Sequence, residues 1–225
     1  MSSRPDERAD ATHTRILDVA ERLVQTRGFN GFSYADIAGE LGITKASLHY
    51  HFATKAELGR TLIARYSEAF AAALQRINAG PADAARRLRA YVRLYADVLA
   101  DQRMCLCGMV AAEYATLPLS MQTAIRGFFE LNEGWVAQQL ELGMRTGTLL
   151  LRVPARDAAR MLVGALEGEM LVARAWGDPG RFAAAAALLL AQLAVRGADG
   201  RVVRRPRSRA AGARGHATRV PGART

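Results

Sequence analysis

Residues 31–58 read GFSYADIAGELGITKASLHYHFATKAEL, and three helix-start signals fall within them. Ser33, with Asp36 three residues on, makes a capping-box pattern in which Asp replaces the usual Glu. Gly42 arrives straight after Leu41, so the first helix must be short. Thr44 caps a second helix over about Lys45 to His51. Thr54 then caps a third, with Glu57 completing a full T-x-x-E box. A helix, a short turn containing Gly and a second helix together form a helix-turn-helix arrangement.

The helical period decides what such a unit shows to solvent. Leu41, Ile43, Leu48 and Phe52 turn toward a core that Ile16, Leu23 and Ile37 would complete. Lys45, Ala46, Ser47, His49, Tyr50 and His51 remain around the outer side. These are small or hydrogen-bonding groups, suited to a helix lying in the DNA major groove and touching base edges. The helix starts at Ser33, Thr44 and Thr54 would offer free backbone N–H groups to phosphates. A metal site competes for the His49-Tyr50-His51 run. The two histidines stand two residues apart, about 200° around a helix, whereas zinc-binding helices use i, i+4 spacing. An ordinary solvated face is the blander alternative.

Upstream, Ile16, Leu17, Ala20, Leu23 and Val24 form one helical stripe, with Thr12 or Thr14 as its cap and Gly28 as its end. Downstream, the helix from Thr54 continues through Leu62, Tyr66, Phe70 and Leu74 to a stop at Asn78-Ala79-Gly80-Pro81. Further helices are expected at about 82–100, 103–116, 119–145, 155–176 and 179–196. The run 148–153, TLLLRV, has strand character but no evident partner strand. The fold class expected is therefore all-α.

Composition sets limits on function. The chain has 225 residues and a net charge of +10. Residues 1–60 carry eight basic and eight acidic side chains, while 196–225 carry nine Arg against one Asp. The basic balance therefore belongs mostly to the tail, and a DNA reading of residues 31–58 cannot rest on it. The longest apolar run, Phe182 to Ala191, has ten residues, against roughly 20 for a membrane span. No membrane association is expected. With no secretory signal at the start either, a cytoplasmic location is expected. Two cysteines, Cys105 and Cys107, are too few and too close for a disulfide framework.

The stretch GFNGFSYADIAGELGITKASLHYHFATKAEL closely resembles the DNA-binding domain of tetracycline-repressor-like (TetR) transcriptional regulators. The resemblance covers about residues 12–60. It implies a three-helix head, a fourth helix leading into a ligand-binding body of about six helices, and a homodimer formed by the last two helices. By position it implies groove contacts from Thr44, Lys45, Ala46, Ser47 and His49, and phosphate contacts from Ser33, Tyr34, Tyr50, His51 and Lys55. His49 departs from the family, which most often has Tyr there. The partner implied is a (pseudo)palindromic double-stranded operator.

The body offers an effector pocket and a dimer face. Phe182 to Val195 is apolar all round except for Gln192, so it must be covered on every side. Gly164, Ala165 and Gly168 allow close helix approach in front of it. Together with Phe182, Leu188, Leu189 and Ala191 they form the expected dimer interface. An effector pocket is expected from Tyr91, Tyr95, Cys105, Cys107, Met109, Glu113, Phe128 and Trp135, with Glu113 as its inward-facing acid. Cys105 and Cys107 point apart on a helix, so shared metal chelation is not expected. A sensing thiol needs access and a lowered pKa, which Arg103 and the nearby helix start could supply to Cys105. The segment 101–118 also resembles a TetR branch in which a cysteine here is tied to reactive electrophiles or unsaturated acids. That branch contains the repressor of N-ethylmaleimide reductase and an acrylate-responsive regulator.

No catalytic signature occurs: there is no G-x-S-x-G, no P-loop and no H-E-x-x-H. An enzyme, a metal and a cofactor are not expected. The domains expected are a flexible arm at 1–11, a DNA-binding head at 12–58, a ligand-binding and dimerisation body at 59–196 and a disordered basic tail at 197–225. The function expected is a sequence-specific repressor released by a small molecule or electrophile. A sequence-indifferent DNA-coating protein driven by the tail is the alternative.

Overall fold

The computed structural model describes residues 4–80 and 83–193, and among them every regular element is helical. The helices are α1 (Arg4–Arg27), α2 (Tyr34–Leu41), α3 (Lys45–His51), α4 (Lys55–Ala79), α5 (Ala84–Ala100), α6 (Leu106–Ala112), α7 (Leu119–Thr146), α8 (Ala155–Trp176) and α9 (Pro179–Leu193). A 3-10 turn at Tyr114–Thr116 follows α6. The basic tail from 197 onward and the end expected for the last helix at 196 lie outside the described residues.

The head closes because three helices, one long and two short, share one small core. Ile16, Ala20 and Leu23 of α1 meet Ile37 of α2, Leu48 of α3 and Phe52, all of them buried. Leu41 and Ile43 pack at the margin of that core, half-buried. Helices α2 and α3 are far too short to persist alone, so burial and caps hold them. Ser33 N–H donates to Asp36 Oδ2 at 2.7 Å. Thr44 Oγ1 accepts from Ser47 N–H at 3.1 Å, and Thr54 Oγ1 accepts from Glu57 N–H at 3.1 Å. Gly42 takes φ +66, a left-handed conformation that glycine adopts without cost, and this lets Ile43 N–H reach back to the Ala38 carbonyl.

Two element starts differ from the sequence reading. Helix α1 begins at Arg4, so Thr12 and Thr14 are interior residues and not caps. Pro5 fits a first turn, where its missing N–H is not needed, and no breaker follows it before Gly28. Helix α6 begins at Leu106, later than expected, because Cys105 is itself the cap: its Sγ accepts from Gly108 N–H at 3.4 Å. The run 148–153 forms no strand. It is an irregular connector with bends at 148, 152 and 153, and its Leu150 N–H donates to the Leu193 carbonyl at 3.3 Å.

In the body, α7 packs against α4, α5 and α8, and α9 packs against α5 and α8. Short α6 is the piece of the body that lies against both α1 and α4. Phe182 was expected at the dimer face but is fully buried within its own chain, together with Ala186. It sits on the side of α9 that faces α5 and α8, and the opposite side stays uncovered.

Candidate functional site

Two regions gather the chemistry. The first is the outer face of α3 with the start of α2. Leu48 pins α3 to the core, so Lys45, Ala46, His49 and Tyr50 stand exposed, with Tyr50 82% accessible. Thr44 is exposed at the cap, and Ser47 and His51 are half-buried. Ser33, Tyr34, Lys45, His49 and Lys55 line one cleft of about 400 Å³ with Phe32 and Ala35. The cleft thus unites residues from α2, α3 and α4 that the sequence reading had named separately.

Four of these residues are already engaged inside the head, His49 through its Nδ1, 3.2 Å from the Ala53 carbonyl. Ser33 Oγ donates to Asp36 Oδ2 at 2.6 Å. Tyr34 donates its hydroxyl to the Phe52 carbonyl at 2.9 Å and rests its ring on His49, 4.8 Å away. Burial, and then the nearby Glu57 carboxylate, push the Tyr34 phenol up to about 12. Lys55 Nζ donates to the Phe32 carbonyl and lies over the Phe29 and Phe32 rings, 4.8 and 4.2 Å from their centroids. Burial lowers the Lys55 pKa while the Glu113 and Asp36 charges oppose it. Lys55 is thus a cross-brace between α4 and the Phe29–Phe32 loop while it lines the cleft. His51 lies between Tyr50 and His13, with ring centroids 5.3 and 6.1 Å away.

The second region lies where α4, α5, α6, α7 and α8 meet. Tyr91, Tyr95 and Phe128 surround Phe70, with ring centroids 6.1, 5.9 and 5.3 Å from it, and Tyr66 packs on Phe128 at 5.6 Å. Tyr91 donates to Asn132 Oδ1 at 2.9 Å, and Asn132 Nδ2 returns to the Phe128 carbonyl at 2.8 Å. Cys105 and Cys107 are both buried. Burial raises both thiols well above their ordinary pKa, and the Glu167 carboxylate raises them further. The thiolate-favouring environment expected for Cys105 is therefore reversed: Arg103 precedes it in sequence, but the carboxylate faces it.

Glu167 is a buried acid that the sequence reading did not name. Its Oε1 is enclosed and accepts no hydrogen bond, while the Cys105 thiol lies against the same carboxylate. Burial raises this carboxyl to about 7, and the Cys105 contact opposes the shift. The residue as a whole is half-buried, and its Oε1 is what the interior encloses. A signal existed. Val163, Glu167, Met170 and Arg174 follow the i, i+4, i+7, i+11 spacing of one stripe of α8, so an acid stands on an inward face.

Glu113 and Met109 do other work than lining a pocket. Helix α6 ends at Ala112, which turns Glu113 toward the head, where its Oε2 accepts from Asn30 N–H at 2.8 Å. Met109 Sδ accepts from Arg174 Nη1 at 3.7 Å. Arg174 also donates to the carbonyls of Gln25 and Thr26 at the end of α1, and Met104 N–H donates to that same Gln25 carbonyl at 3.1 Å. Trp135 stacks on Tyr91 at 5.4 Å and donates its indole N–H to Asn78 Oδ1 at 3.2 Å, so it closes the far end of the aromatic cluster.

The expected dimer residues lie on an uncovered apolar surface, Phe182 excepted. Gly164 and Gly168 have open space where a side chain would stand. Leu188 is 67% exposed, Ala191 is exposed, and Ala165 and Leu189 are half-buried. Met161, Leu171 and Trp176 add to this surface on α8.

A helix-turn-helix head whose reading helix faces outward, joined to an all-helical body with a buried polar centre, defines a class of helical DNA-binding regulators. Residues 16–60 match the family described as "Bacterial regulatory proteins, tetR family". A TetR-family transcriptional regulator from Agrobacterium tumefaciens is 32% identical, with a TM-score of 0.81 over 83% of this chain and 100% of that one. The chain belongs to the TetR family of bacterial transcriptional regulators. The regulator TtgR of Pseudomonas putida is 38% identical over 63 residues, which are 28% of this chain and 30% of that relative. The transcriptional regulator AcuR of Cereibacter sphaeroides is 26% identical over 145 residues, 63% of this chain and 66% of that protein.

Proposed function

We propose that the chain is a homodimeric repressor that binds a (pseudo)palindromic double-stranded operator through α3 and leaves it when an effector occupies the body. The observation that carries this reading is the outer face of α3. Lys45, Ala46, His49 and Tyr50 are exposed there while Leu48 locks the helix to the core. Lys45, Ala46 and His49 would meet base edges, with Thr44 and Ser47 at the helix start. Tyr50, His51 and the cleft around Ser33 and Tyr34 would meet phosphates. The domains proposed are a head ending near 58 and a body from 59 onward, with α1 belonging to the head along its whole length.

Release would run through α6. That helix touches α1 and α4, and it is bordered by the Cys105–Glu167 contact at one end and the Glu113–Asn30 bond at the other. An effector that favours one arrangement of this segment would bias the spacing of two heads in a dimer. Two α8–α9 faces, paired across a two-fold axis, would cover the exposed leucines and glycines. Among the described residues, no helix is long and apolar enough to cross a membrane, and operator binding would place the protein in the cytoplasm. The DNA-coating alternative is disfavoured, since the relatives are named as transcriptional regulators.

The test is a titration of the full chain, and of one ending at 197, against its own upstream DNA and a scrambled control at physiological salt. A preference of ~10³ or more that survives removal of the tail is the expected result. Equal weak binding to both DNAs would sink the repressor reading.

A further inference from the structure

The reading of the body as an effector module says nothing of what the effector is, and Glu167 speaks to that. Buried polar atoms in folded proteins are almost always paired. Among the described residues, two buried side-chain atoms have no hydrogen-bond partner, Glu167 Oε1 and Gln25 Oε1. Gln25 Oε1 is an acceptor, and so is Glu167 Oε1 once its carboxyl is ionised, so what the interior then lacks is a donor. Their residues border the same segment: the Cys105 thiol meets the Glu167 carboxylate, and Met104 N–H donates to the Gln25 backbone carbonyl.

Gly108 makes this arrangement possible. A Cβ there would stand 2.3 Å from Glu167 Oε2, so only a glycine leaves room for the carboxylate to reach α6. The surroundings also lack a compensating charge. The influences on the Glu167 carboxyl are burial and the Cys105 thiol, with no Arg or Lys among them. Arg174, two turns along α8, is held instead by the carbonyls of Gln25 and Thr26. An ionised acid so enclosed favours a positive partner. Tyr66 and Tyr95 lie within electrostatic reach of this carboxylate, and Phe128 packs on Tyr66 and Phe70; aromatic rings of this kind attract cations.

We propose that Glu167 anchors a small organic amine, whose protonated nitrogen donates to Oε1, with the aromatic cluster receiving the carbon skeleton. The proposal rests on the reading of the body as the effector module. It runs against the unsaturated acid suggested by the resemblance of 101–118, because a second carboxylate here would meet the first without a cation between them. No covalent step is involved, and Cys105 acts as a hydrogen-bond donor that orients Glu167.

The experiment measures dissociation constants of the full chain for primary amines from butylamine to phenethylamine. N-acetylphenethylamine and 3-phenylpropionate serve as neutral and anionic matches. Wild type, Glu167→Gln and Gly108→Ala are compared. In the last, the new methyl group displaces only the tip of a side chain, so the fold is retained. The expected result is that the amines bind at least tenfold more tightly than either match, and that both substitutions weaken amine binding at least tenfold. Between pH 6 and 8 amine affinity rises in wild type and stays flat in Glu167→Gln. Cys105, Cys107, Tyr66, Tyr91 and Tyr95, the other titrating groups facing this centre, are all held well above neutrality. Absence of binding by every amine overturns the proposal. So does equal or tighter binding of 3-phenylpropionate, or amine affinity unchanged within twofold in both variants. Operator binding is followed in the same samples. An amine that binds through Glu167 without loosening operator would overturn the effector reading and leave the amine site standing.

Discussion

Glu113 of the body accepts the backbone N–H of Asn30 in the head at 2.8 Å, and Asn30 Nδ2 donates in turn to Thr116 Oγ1 at 2.9 Å. The loop that closes α1 is thus fastened to the turn that closes α6. Gly28, at φ +86, lies close enough that any Cβ would meet Glu113 Oε1 at 2.3 Å.

Removing that fastening should loosen the joint more than the fold. Glu113→Ala is expected to cost about 1 kcal/mol, since the bond is exposed to solvent. Urea unfolding would measure the loss, and hydrogen exchange at Asn30 should accelerate well beyond exchange in α7. If the Asn30 amide remains as protected as before, the bond does not hold the two parts together.

On α3, burial and recognition separate cleanly by residue. Leu48→Ala should destabilise the head by roughly 2–5 kcal/mol in urea, because Leu48 is fully buried. Lys45→Ala should leave stability unchanged and reduce the preference for operator over scrambled DNA by about 1–3 kcal/mol. Tyr50→Phe should weaken both DNAs alike, by about fivefold. Unchanged constants for Lys45→Ala on both DNAs would refute the groove assignment.

Stability should also respond to pH through Glu167. Its carboxyl is raised from 4.5 to about 7 in the folded protein, so the folded state holds the proton more firmly than the unfolded state. Its contribution is complete below pH 4.5 and is lost as pH rises toward and through 7. The loss is on the order of 3 kcal/mol above neutrality. Glu167→Gln should abolish this slope, leaving the variant more stable than wild type at pH 8. Parallel stability curves for the two proteins would disprove it.

Both thiols should be slow to react. Burial and the Glu167 carboxylate disfavour thiolates at Cys105 and Cys107. Iodoacetamide labelling of the native protein at pH 7.5 is therefore expected to be about a hundredfold slower than in urea. Labelling at the unfolded rate would mean that the interior opens freely.

The uncovered face of α8 and α9 predicts assembly. Leu188→Glu should keep its helical content and turn the dimer into monomers in sedimentation. Operator affinity should fall about a hundredfold once the two heads are no longer linked. A variant that sediments like wild type would place the interface elsewhere.

Local signals were the legible part of this fold. Ser33, Thr44, Thr54, Gly42, Gly147 and Gly177 act within a turn of themselves, and the helices begin or end at them. The outward side of α3 was legible for the same reason, since a 3.6-residue period around a buried Leu48 leaves few choices. Roles that depend on distant neighbours were not. Nothing local tells that Lys55 turns back to the Phe32 carbonyl, 23 positions away. The expectation that Glu113 faces inward has a similar cause, since Glu113 follows Ala112 and precedes Tyr114 while Glu167 follows Leu166. Only the end of α6 at Ala112 turns one of them outward to the head, while the register of α8 turns the other inward.

Helix α4 carries a consequence of its length. It starts four residues after the end of α3 and runs 25 residues, about 37 Å, to Asn78 and Ala79. At that far end, Asn78 Oδ1 accepts from Trp135 Nε1 at 3.2 Å and from Gln139 Nε2 at 3.4 Å. A straight rod packed on the body and joined to the head carries a tilt from one to the other. A tilt of about 5° at the Asn78 anchor would sweep the start of α4 through about 3 Å, close to the rise of one base pair along a strand. A change in the body too small to disturb any single side-chain contact could thus put the reading helix a full nucleotide step out of register with its groove.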